Sequence, residues 1–245
     1  AEILYISANA LSSQFLYSYS NFYLNLSKYL NKNFHSYNTL LAENLYNTDN
    51  FNHSKKINKN LGKQGNEYYW YSSKQISKIL ISRDENEKAI KNLTTAYLKI
   101  KDNNVYKKFD YAKFLKNNKE FNKSIKLYND IIKSINLNHP LYPKAKEGRG
   151  IAYERTGNWE KAEKDLLDSL KSDPNQAYVI NYLAYSWIEK GIKITKSLEM
   201  LEQANNLRKN DPFIIDSLGW ALFKLKKYDE SKKYLQTAVT LMPSD

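Results

Sequence analysis

Cysteine is missing from this 245-residue chain, and glycine (7) and proline (5) are scarce. With no thiol there is no disulfide framework, no thiolate nucleophile and no cysteine-ligated metal. So few helix breakers and turn formers argue against a turn-rich β architecture and for long helices. No run approaches the roughly 20 apolar residues that cross a bilayer, and no secretory signal pattern opens the chain. The sequence starts at Ala1 within a helical pattern, which leads us to expect a segment of a longer protein. Hydrophobic residues are plentiful at 42%, ample for a core, and Lys+Arg 38 against Asp+Glu 26 gives a net charge of +12.

Aligning the chain with itself shows a repeat of about 34 residues, starting near residues 1, 35, 70, 105, 143, 177 and 212. Small residues recur at the eighth position: Ala8, Ala42, Ser77, Ala112, Gly150, Ala184 and Gly219. They recur at the twentieth: Ser20, Ser54, Ala89, Ser124, Ala162, Ser197 and Ser231. Position seventeen reads Tyr17, Phe51, Asn86, Phe121, Trp159, Ile194 and Tyr228, mostly large. Two helices that cross closely need Gly, Ala or Ser at the crossing, and a large residue fills the gap where the second begins. Pro174 and Pro243 stand where a helix must end; Lys32, Asn66, Lys101, Asn136 and Lys209 replace proline elsewhere. One hairpin cannot bury its apolar face alone, so stacked neighbours complete the core.

These spacings resemble the tetratricopeptide repeat and predict an all-α, right-handed α-solenoid of about seven helical hairpins. Repeats one to four would occupy 1–142 and five to seven 143–245 of one continuous array. A longer connection at 137–142 marks a candidate hinge. Repeat two departs most, with Asn58 and Leu61 where a large and a small apolar residue are usual. Residues 178–245, through Tyr182-Leu-Ala-Tyr-Ser-Trp187, Asn210-Asp-Pro212 and Asp216-Ser-Leu-Gly-Trp-Ala-Leu222, are similar to the last repeats of bacterial outer-membrane-anchored multi-repeat lipoproteins. That resemblance implies a periplasmic scaffold or adaptor, with a carboxyl-terminal processing protease as one partner class.

No catalytic or cofactor constellation accompanies the repeats. His35, His53 and His139 have no metal-ligand spacing around them, and Gly148-Arg-Gly150 lies within a helix instead of a phosphate loop. Asp165 and Asp168 alternate with Lys161, Lys164 and Lys171, the pattern of a solvated helix face. We therefore expect no enzyme activity, cofactor or metal in this stretch; a catalytic domain elsewhere in a longer chain is the alternative.

The resemblance implies that the first helix of each hairpin lines a concave groove. Lys74 and Lys78 (repeat three), Phe109 and Lys113 (four), Tyr178, Asn181 and Tyr185 (six), and Asp216 and Trp220 (seven) are the partner-binding candidates. Lys116, Lys144, Glu147 and Ile188 occupy equivalent positions. Residues 69–142 hold Lys+Arg 15 against Asp+Glu 7, most of the net charge, whereas 143–176 hold seven of each. That excess suits an acidic protein or peptide segment, an anionic lipid or a glycan. Nucleic acid fits less well, since no binding motif accompanies the basic and aromatic residues. Gly150 and Gly219 should admit alanine but not leucine. The apolar residues Tyr234, Val239 and Leu241 call for a further repeat or cap beyond α-helical repeat seven.

Overall fold

The computed structural model describes residues 1–100 and 104–242. Among them are fourteen α-helices and no strands, in seven hairpins. They are α1 (Glu2–Ser13), α2 (Tyr17–Leu30), α3 (Ser36–Asn47), α4 (Phe51–Leu61), α5 (Asn66–Ile81), α6 (Asn86–Ile100) and α7 (Val105–Asn117). There follow α8 (Phe121–Ser134), α9 (Tyr142–Arg155), α10 (Trp159–Ser172), α11 (Ala177–Glu189), α12 (Ile194–Leu207), α13 (Pro212–Lys224) and α14 (Tyr228–Leu241). Every second helix begins on the residue at repeat position seventeen. The chain divides into two compact units, Ala1–Lys107 and Lys108–Asp245, and the 137–142 connection lies within the second.

The small residues at positions eight and twenty are buried in all seven hairpins. Serine there does more than leave room. Ser20, Ser54, Ser124 and Ser231 each donate from position twenty to the carbonyl at position eight, at 2.6–2.9 Å. Ser77 makes the reciprocal bond to Ala89 O. A hydroxyl that would be costly to bury unpaired thus ties the two helices at their closest approach.

Within the first unit, Ala8, Leu24, Tyr37 and Leu40 form a core shared by α1, α2 and α3. In the second, Leu166, Val179, Leu183 and Trp187 join α10 to α11. Ala184, Ile188, Leu201, Leu218 and Ala221 join α11, α12 and α13. Burial between hairpins is the stacking logic of a repeat array.

Four expectations need correction. Asn66, aligned with the repeat-end proline, instead opens α5; Gly65 before it has φ of 128°, which frees the chain to enter the helix early. Asp165 is not on a solvated face: it is 3% exposed. Lys146 Nζ donates to its Oδ1 at 2.9 Å and to Asp168 Oδ2 at 2.7 Å. Arg149 grips Asp165 with two bonds of 2.6 and 2.8 Å, and donates to Asn129 Oδ1 at 2.6 Å. Gly219 lacks room even for alanine, because a Cβ would lie 2.7 Å from Leu235 Cδ2. Ile188 is core, at 1% exposed. Pro243 and Lys101 fall outside the described residues.

Candidate functional site

In the second unit, the first-helix face holds a recess of about 500 Å³. Phe109, Lys113 and Lys116 come from α7, Tyr128 from α8, Lys144 and Glu147 from α9, and Tyr178 from α11; Arg208 follows α12. The four-residue spacing of Phe109 and Lys113 puts both on one face of α7. Phe109 meets Tyr128 edge-on at 6.0 Å. The Tyr128 phenol, 1% exposed, passes directly over Gly148, where any Cβ would overlap its ring. Glycine at 148 is therefore what lets an aromatic floor the recess.

Around the recess cations outnumber carboxylates: Lys113, Lys116, Lys144 and Arg208 stand against Glu147 and Asp173. Burial holds the Glu147 carboxyl above the usual glutamate value, against the pull of Lys116, Lys113 and Lys144. Burial also depresses the Lys116 ammonium, which Glu147 opposes and Lys113 reinforces. Arg208 lies 4.7 Å over the Tyr178 ring and donates to its hydroxyl at 2.7 Å. Tyr178 in turn donates to Asp211 Oδ2 at 2.7 Å, while Asp211 Oδ1 caps α13 through the amides of Phe213 and Ile214. The far wall of the recess is thus braced by a helix cap. Three ammonium groups and a guanidinium against the half-buried Glu147 and the exposed Asp173, with aromatic walls, form a setting for anionic groups on an extended chain.

Of the nine sequence candidates, the structure brings Phe109, Lys113 and Tyr178 together here. Others lie elsewhere on the second unit. Trp220 Nε1 donates to Glu189 Oε1 at 2.6 Å, and its ring stacks on Phe223 at 5.4 Å. Tyr185 is 39% exposed, its hydroxyl pushed up by burial and by the Glu189 and Asp216 carboxylates. Asn181 is half-buried, and its Oδ1 reaches no hydrogen-bond partner among the described residues. This end is acidic and aromatic. In the first unit, Lys74 is half-buried on α5 and Lys78 lies 4.1 Å over the Tyr46 ring. Tyr128 and Arg208 were missed from sequence: one sits on a second helix, the other after one, and only packing aims them at this face.

Among the described residues, no helix is long and apolar enough to cross a membrane, and no cluster of three or more His, Asp or Glu could hold a metal.

Seven hairpins with small residues at both crossing positions define a tetratricopeptide-repeat α-solenoid. Residues 212–245 match the tetratricopeptide repeat family. A TPR repeat-containing protein of Pseudomonas aeruginosa is 27% identical over 95 residues, 39% of this chain and 16% of that protein. The match therefore spans under a fifth of the relative's length. The structure resembles a tetratricopeptide repeat protein from Parabacteroides merdae at TM-score 0.72 and 10% identity, over 100% of this chain and 94% of the other. It also resembles the C-terminal part of a TPR repeat-containing protein from Cytophaga hutchinsonii, at 0.56 and 14%, over 98% and 96%. MamA from Desulfovibrio magneticus gives 0.54 and 15%, over 70% and 96%. These likenesses concern the fold.

Proposed function

We propose that this chain is a non-catalytic interaction scaffold whose second unit grips an acidic, extended protein segment on its first-helix face. The observation that carries this reading is the recess between α7, α9 and α11, where Lys113, Lys116, Lys144 and Arg208 surround an aromatic floor. Acidic side chains of the partner would meet the ammonium groups while apolar ones lie on Phe109 and Tyr178. The excess of Lys+Arg over Asp+Glu in 69–142 would speed encounter with such a partner. As a finer proposal, the likeness of 178–245 to outer-membrane-anchored lipoproteins supports a periplasmic adaptor for a processing protease; fractionating cells that carry the full-length gene would test it.

The direct test is binding of a panel of Asp/Glu-rich peptides by fluorescence anisotropy. Replacing Lys113 and Lys116 with glutamate should weaken the best binder by roughly tenfold at low salt and flatten its salt dependence. Unchanged affinity would sink the proposal.

A further inference from the structure

A second recess, of about 310 Å³, lies in the first unit between α4, α5 and α6. Two polar residues in its wall are almost wholly enclosed: Asn58 is 1% exposed and Ser72 2%. Neither Asn58 Oδ1 nor Ser72 Oγ reaches a hydrogen-bond partner among the described residues. The Asn58 amide is oriented by its nitrogen, which donates to Ser54 O at 3.0 Å. Flipping it would set oxygen against oxygen, so the free atom is an acceptor. Buried polar atoms without partners are rare, because each forfeits the hydrogen bonds it had in water. Two residues carrying such atoms in the wall of one recess point to something that completes them.

The sequence marks the same place. Asn58 stands where this repeat usually has a large apolar residue, and that side chain would fill the space. Ile76 and Leu80 give the recess an apolar side, and Lys55, Lys59 and Lys88 line it as well. Lys88 is already paired with Glu85 at 2.6 Å. Lys55 and Lys59, one turn apart on α4, are the other two cations, and Lys55 also feels the Glu85 carboxylate without an ion pair to it. The volume sits at the small end of ligand pockets, roughly 300–1,000 Å³, which favours a small molecule over a peptide.

We propose that this recess binds a small hydroxylated organic anion, of the size of a sugar phosphate or sugar acid. Both oxygens are shielded from solvent, so neighbouring side chains shift as one ligand hydroxyl donates to Asn58 Oδ1 and another accepts from the Ser72 hydroxyl, while the phosphate or carboxylate meets Lys55 and Lys59. The site is separate from the peptide recess, and its test does not depend on that reading.

Isothermal titration of the 245-residue chain with glucose 6-phosphate, glucuronate, glucose and inorganic phosphate decides it. Saturable binding of glucose 6-phosphate or glucuronate is expected, and whichever binds identifies the anionic group. Glucose and inorganic phosphate should bind at least about tenfold more weakly. Asn58→Leu restores the usual apolar residue and should fold while abolishing binding. Ser72→Ala should weaken binding by about tenfold, the worth of one good hydrogen bond, and carries the test if Asn58→Leu melts early. No saturable binding of either organic anion overturns the proposal and leaves a bridging water as the occupant. Equal binding of inorganic phosphate or glucose, or binding unchanged in the folded variants, overturns it too.

Discussion

At repeat position fifteen, in the turn of each hairpin, the backbone is left-handed. The sequence supplies Phe15, Asp49, Asp84, Lys119, Gly157, Gly191 and Lys226 there, all with positive φ. Only glycine takes this conformation without a steric penalty. Lys119, at φ 64° and exposed, is the cleanest place to relieve it. Lys119→Gly should raise stability by ~0.5–1 kcal/mol, since relief of strain exceeds the added chain entropy; a thermal melt checks this. Gly148 is the opposite case, because its added Cβ would collide with the buried Tyr128 ring. Gly148→Ala should cost about 1–3 kcal/mol and loosen the recess floor, whereas a melt equal to wild type would show Tyr128 free to move. The turn conformation was illegible in the sequence because five of its seven residues carry no glycine signal. Positions eight, seventeen and twenty were legible because close packing admits so few side chains.

Single helices show why the fold was easier to read than the site. Asp165 and Asp168 on α10 have lysines three and four residues away, the same spacing whether the carboxylates meet water or another helix. Packing against α9 decided it, since Lys146 and Arg149 lie on the facing side. Replacing Asp165 with asparagine should leave two cations undercompensated in the interior and cost about 3–5 kcal/mol, read by urea unfolding. The peptide recess likewise needs α7, α9 and α11 side by side, which no single stretch of sequence states. Glu147 on α9 has its carboxyl pushed up by burial. Its folded value exceeds its unfolded one, so its contribution to stability is greatest at low pH and is lost as pH rises through the folded value. Glu147→Gln should therefore raise the neutral-pH melting temperature and remove that slope. It should also tighten binding of an acidic peptide by about two- to fivefold.

On the scale of the whole molecule, apolar surface gathers on the first and last hairpins. Ile3, Ile6, Phe15, Tyr19, Phe22 and Tyr29 are 60–81% exposed, and on α14 Tyr234, Val239 and Leu241 are exposed at 36%, 63% and 43%. Hydrophobic dye should bind the isolated chain, and Phe22→Ser with Tyr29→Ser should reduce the signal. Dye uptake unaffected by both changes would place the accessible apolar surface elsewhere. The hairpin α9–α10 has a different character. Its buried charges, Lys146 and Arg149 against Asp165 with Asp168, are matched within itself, and 143–176 carry seven charges of each sign. Such a hairpin is a transplantable cassette: copied into another array as residues 143–176, it would bring its interior counter-ions along and import no net charge. Excising it would break the Asn129 bond on one side, and the Tyr182 and Trp187 bonds to Glu154 and Glu163 on the other. Those seams, and not the charged interior, are where a graft would have to be tailored.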